Sequence, residues 1–192
     1  TTEIYTLSLH DALPISVTLV MSPLPELELW VETLETLETL NVLKPEDLPT
    51  LATWQAWFNA WLTELVPTAS PINHYEVSLL LTDDVTIQQL NATYRHQDKA
   101  TDVLAFAAQE VNIPGAEEIY QTAPLPLGDV VISVETAQRQ RHHSDYSITQ
   151  ELAWLAAHGL LHLLGWDHPD DPSLTVMLNK QHSLLRQIEL IS

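Results

Sequence analysis

The sequence predicts an α+β fold, a small mixed four-stranded sheet covered by about five helices. Three observations lead there. Short apolar or alternating runs of strand length recur four times, at 26–32, 74–81, 101–107 and 129–133. The segments between and after them carry apolar residues at three- and four-residue spacing, the period of a helix. At 192 residues, 45% hydrophobic and 17% charged, the chain has the size and balance of one globular core.

Glu26 to Glu32 alternates, with Leu27, Leu29 and Val31 on one side, and reads as a strand. Thr33 to Leu40 repeats Thr-Leu-Glu in threes, a period that suits neither helix nor strand, so a solvated acidic insertion is expected. Pro45 and Pro49 punctuate a linker. Trp54, Trp57, Phe58, Trp61, Leu62 and Leu65 then fall at helical spacing and are expected to enter the core. His74 to Leu81 is a strand, and Thr82-Asp83 caps a helix running to about Tyr94. Thr101 to Ala107 is a strand. Gln109 to Leu125, rich in proline, reads as a loop or hairpin excursion. Asp129 to Ser133 is a short buried strand, and Val134 to Arg141 a helix. Ser147-x-x-Gln150 opens a long apolar helix as a capping box, and Leu174 to Ile188 forms the last amphipathic helix.

Composition excludes several kinds of chemistry. Without cysteine there are no disulfides, thiolate ligands or cysteine nucleophiles, so any metal must be held by nitrogen and oxygen. No apolar stretch reaches the roughly 18 residues that span a bilayer. The net charge of -19 argues against broad coating of nucleic acid, which needs a basic face. Six of the seven Lys and Arg residues nonetheless lie after position 94, in the half that holds most histidines.

The eleven residues His158-Gly-Leu-Leu-His162-Leu-Leu-Gly165-Trp-Asp-His168 carry the chemistry. Histidines four apart project from one helical face. Gly165 can take the left-handed conformation that ends a helix and turns the chain back, bringing His168 to the same point. Three imidazoles with a fourth position open are the ligand set of a catalytic zinc. The spacing matches the zinc-protease motif H-E-x-x-H-x-x-G-x-x-H, except that Gly159 stands where the protease keeps its glutamate base. Burying imidazoles in so apolar a helix without partners would be costly, and a metal supplies that partner.

These residues resemble the H-G-x-L-H-L-x-G-[YW]-D-H signature of the YbeY family of metal-dependent endoribonucleases. Leu90-Asn-x-x-Tyr-Arg95 with Lys99-x-Thr-Asp-Val-Leu-x-Phe106, and Leu127-Gly-Asp-Val-Val-Ile-Ser133, are similar to two further family blocks, in the same order. Ala105 stands where the family usually has serine, and Trp166 where tyrosine is commoner. The resemblance implies a zincin-like metal helix and one Zn2+ per chain, held by His158, His162 and His168. It also implies that Arg95 faces the metal cleft, where its planar fork suits phosphate. Asp129 is expected either to orient a ligand, hold substrate or accept a proton, or to cap the strand; turn and cap roles are expected for Asp102 and Asp167.

The activity implied is cleavage of single-stranded RNA in ribosomal RNA maturation, at the 3′ end of the small-subunit RNA, and in ribosome quality control. The implied partners are ribosomal RNA and the ribosome or its proteins, with no membrane, in the cytoplasm. Two other readings stay open: a metalloprotease-like hydrolase, and a non-catalytic ribosome assembly factor with a structural zinc. Either water activated by the metal or Asp129 would do the work of the missing base. The expected organisation is 17–50 as the N-terminal strand plus acidic insertion, and 51–192 as the catalytic metal-binding domain, folding as one with the 26–32 strand. Thr1 to Ser16 lacks the pattern of a signal peptide. It reads as an adapter-derived segment foreign to the domain, expected to pack poorly, and its His10 and Asp11 are set aside.

Overall fold

The computed structural model describes residues 24–35, 37, 47–108, 115–141 and 145–191. The 1–16 segment and half of the Thr-Leu-Glu repeat (36 and 38–40) lie outside the described residues. Four strands are described: β1 (Glu26–Thr33), β2 (His74–Thr82), β3 (Val103–Ala107) and β4 (Leu125–Ser133). Five helices accompany them: α1 (Leu51–Leu65), α2 (Asp84–Arg95), α3 (Val134–Gln140), α4 (Ile148–Leu163) and α5 (Asp171–Gln187), with a single helical turn at Ala116–Ile119. The sheet order is β1-β2-β4-β3, with β1, β2 and β4 parallel and β3 antiparallel to β4. This is the expected mixed four-stranded α+β architecture.

Alternation along the strands sends one set of side chains to each face. Leu29, Val77, Leu79, Leu127 and Val130 join the main core with residues of α1, α4 and α5. On the other face, Leu104 and Val131 meet Ile87 of α2 in a smaller cluster. The aromatic stripe of α1 is core as expected: Trp54 meets Trp57 edge-on at 5.1 Å, and Phe58 lies 5.1 Å from Trp61. The Trp61 indole N–H donates to the Leu184 carbonyl at 3.0 Å, tying α1 to α5.

The caps place the helix starts. Asp83 accepts from the Thr86 amide at 2.7 Å, and Ser147 and Gln150 close the anticipated capping box. α5 begins at Asp171, three residues before the periodicity suggests, because Asp170 and Ser173 form a second capping box. β4 begins at Leu125, four residues before the expected start. The added residues include Pro126, and beside it the β2–β4 register shifts between Glu76 and Val77, leaving Leu127 as an extra residue. Such a bulge is where a strand tolerates proline. One further difference falls in the acidic repeat. The Leu34 amide donates to the Leu81 carbonyl at 2.9 Å and Leu37 is buried in the main core, so this part of the repeat is not a solvated face.

Candidate metal centre

α4 lies against β3 and β4 and delivers His158 and His162 one turn apart. Its end is a Schellman turn: Gly165 has φ 84°, its amide donates to the His162 carbonyl at 2.9 Å, and the Trp166 amide donates to the Leu161 carbonyl at 3.0 Å. The reversal returns His168 to the pair, and its backbone amide is held by the Asp167 carboxylate at 2.8 Å. One ring nitrogen from each of the three histidines lies within 4.8 Å of the others. The Nε2 atoms of His158 and His162 face each other at 3.1 Å. Bonds of about 2.0–2.1 Å from a tetrahedral zinc would set its nitrogen ligands about 3.3 Å apart. The cluster therefore fits a zinc-sized cation in both donor chemistry and spacing.

Electrostatics keep the His158 and His162 rings in the neutral form that can bind a metal. Burial, followed by the charge of His162, pushes His158 down to about 4, while the Gln181 hydrogen bond and the Asp102 charge pull the other way. His162 is also lowered, by burial first and His168 second. A ring that resists protonation offers its lone pair at neutral pH.

Gly159, between His158 and His162, has a packing explanation. A Cβ built there would lie 2.6 Å from Val130 Cγ1 and 3.0 Å from Cγ2. Real side chains do not approach so closely, so α4 rests its backbone directly on β4. A side chain at the position of the protease glutamate would thus have to displace Val130 or lift the helix off the sheet.

The three histidines open onto a cavity of about 560 Å³ whose lining includes Arg95, Thr101, Asp102, Trp166 and Asp167. Arg95 ends α2, is exposed, and has no carboxylate partner among the described residues. Asn91 fixes the chain just after it: its side-chain amide donates to the Lys99 carbonyl at 2.8 Å. Asp102 Oδ1 accepts from the Val103 amide at 2.9 Å and the Thr101 hydroxyl at 3.1 Å, the expected turn role. Asp102 also lines the cavity, close enough for its charge to act on His158.

Asp129 is not brought to this site. Its neighbour Val130 packs under Gly159, so strand alternation turns Asp129 to the opposite face, where Val131 meets α2. It is exposed, paired across the sheet with Phe106, and absent from the cavity wall. The roles of base and ligand-orienting group expected for it therefore have no support in its position. Gln181, which sequence reasoning missed, is fully buried on α5 and reaches His158 Nδ1 at 3.3 Å. Its signal was present: it is the one polar residue in the stripe Met177, Gln181, Leu184, Leu185.

Comparison with known proteins agrees with the motifs. The family model described as Endoribonuclease YbeY matches residues 42–189. The chain is 53% identical over 145 residues to a protein of that name from Acaryochloris marina, covering 76% of this chain and 82% of that one. With one from Nostoc it shares 56% over 137 residues, 71% and 74% of the two chains. With one from Picosynechococcus it shares 46% over 173 residues, 89% and 99%.

Proposed function

The chain belongs to the YbeY family of endoribonucleases, and from that membership and the cavity we propose that it cleaves phosphodiester bonds in single-stranded RNA with a zinc held by His158, His162 and His168. The observation that carries this reading is a guanidinium, Arg95, with no carboxylate partner among the described residues, sharing one cavity with three converging imidazoles. When bound, zinc supplies Lewis acidity at its open coordination position.

The chain's own residues do the rest. Arg95 holds two phosphoryl oxygens and stays opposite the charge that grows on them during cleavage. Asp102, with Oδ1 fixed by Val103 and Thr101 and no hydrogen bond to Oδ2 among the described residues, accepts a hydrogen bond from the attacking oxygen, water or a ribose hydroxyl. This assigns to Asp102 the role that Asp129 cannot fill from the far face. Trp166 forms an aromatic wall beside the ligands.

The substrate is ribosomal RNA, matured at the 3′ end of the small-subunit RNA, with a part in ribosome quality control. With a net charge of -19, electrostatic attraction cannot gather RNA, so the ribosome or its proteins bring substrate and enzyme together in the cytoplasm. No helix among the described residues is long and apolar enough to cross a membrane. The protease reading is weakened by the close contact that a side chain at 159 would meet.

The test is to incubate zinc-loaded protein with a single-stranded RNA, its duplex and casein, beside the variants Arg95→Ala and His162→Ala. Cleavage of the single strand alone, lost in both variants, is expected. Casein cleavage lost in His162→Ala would overturn the nuclease reading. RNA processing that persists without metal and in Arg95→Ala would favour an assembly factor with a structural metal.

A further inference from the structure

Gln181 lies on α5, outside the histidine motif, yet it is 0% exposed and touches His158. A buried amide has two ends to satisfy, and each chooses its partner by chemistry. The Trp154 carbonyl, 2.8 Å from the amide nitrogen, can only accept, so Gln181 Nε2 must face it. Gln181 Oε1 is thereby turned to His158 Nδ1 at 3.3 Å. An amide oxygen also only accepts, so the hydrogen of the neutral ring must sit on Nδ1. The lone pair is left on Nε2, the atom that faces His162 Nε2 at 3.1 Å.

We infer that Gln181 is a positioning residue that fixes the tautomer and orientation of His158, so that Nε2 is the atom presented to the metal. The inference rests on the metal reading above. The device spans two helices. Trp154 lies one turn before His158 on α4, so the amide takes its bearing from the backbone of the helix that carries the ligand. It holds the ring from the side, at its far nitrogen. Such partners of a ligating imidazole raise its basicity and remove the entropy of ring rotation.

Two measurements test this. In the metal-free protein, nitrogen-15 NMR of the histidine rings reads the His158 tautomer directly, and the Nδ1–H form is expected. A wild-type ring protonated on Nε2 would overturn the assignment whether or not the protein binds zinc. The second measurement is zinc affinity by chelator competition for wild type, Gln181→Met and Gln181→Glu, with the unfolding temperature of each metal-free protein as the fold control. Gln181→Met removes the acceptor, and its zinc affinity is expected to fall about 10–100-fold. Gln181→Glu keeps an acceptor for Nδ1–H but loses the donor to Trp154, so its affinity is expected to match or exceed wild type. Equal weakening in both variants would make the Trp154 contact or simple packing responsible, and overturn the inference. So would Gln181→Met binding as tightly as wild type. Wild-type protein that binds no zinc would instead overturn the metal reading, leaving the tautomer spectrum to decide the role of Gln181.

Discussion

Gly159 of α4 rests on Val130 of β4 so closely that a Cβ at 159 would lie 2.6 Å from Val130 Cγ1. This contact sets the height of the metal helix above the sheet, and with it the distance between the histidines and Asp102 on the neighbouring β3 end.

Gly159→Ala is therefore expected to destabilise the protein by about 1–3 kcal/mol through overpacking, despite the better helix propensity of alanine. Denaturant unfolding reads the loss. Val130→Ala combined with Gly159→Ala should recover part of it, because the clash is with the valine methyls. A Gly159→Ala protein as stable as wild type would show that the helix lifts off the sheet at no cost.

Metal content follows from the convergence of His158, His162 and His168. Elemental analysis of wild-type protein should find one zinc per chain. His168→Ala should remain folded, since its ring lies after α4 has ended, but should retain much less metal. Equal zinc in the two proteins would remove His168 from the ligand set.

The two aspartates should behave differently. Asp102 lines the cavity and Asp129 lies on the far face of the sheet. On a short single-stranded RNA, Asp102→Ala is expected to lower kcat by about 100-fold, at the low end of the range for losing an acid–base group, with zinc retained. Asp129→Ala should leave the same assay unchanged. Loss of activity on Asp129→Ala alone would reverse the assignment.

The low affinity of His158 for protons predicts an acid-sensitive metal-free protein. Its ring titrates at about 4 in the fold and near 6.5 when unfolded, first because burial disfavours the cation and then because of His162. Above pH 6.5 the ring is neutral in both states and costs nothing. As pH falls from 6.5 the unfolded chain takes up a proton that the fold refuses, and the loss is complete near pH 4, on the order of 3 kcal/mol for this one group. His162, also lowered, acts in the same direction. The acidic surface works oppositely, because its net charge of -19 relaxes on acidification. The clean reading is thus the difference between wild type and His158→Ala across pH 6.5 to 4. Parallel stability curves would count against the buried neutral ring.

Local signals were legible in the sequence. Ser147 and Gln150 mark the start of α4, the four-residue histidine spacing puts His158 and His162 on one face, and Gly165 marks the turn back to His168. Each depends on residues within one or two helical turns, where backbone geometry converts spacing into direction. The early start of β4 was not legible because tolerance of Pro126 depends on a bulge opposite β2, nor was the burial of Leu37, which depends on a core built from distant elements.

The sequence by itself thus determined the elements, the three imidazoles and the lack of a protease base. The tertiary structure decided which face of β4 the metal helix would cover, and that choice brought Asp102 in and left Asp129 out. It also packed α5 against α4, placing Gln181 on His158 across a separation of 23 residues. The physical reason is the strand's two-residue alternation. A motif can place both Val130 and Asp129 on one strand, but only packing of the layers shows which of the two faces the chemistry.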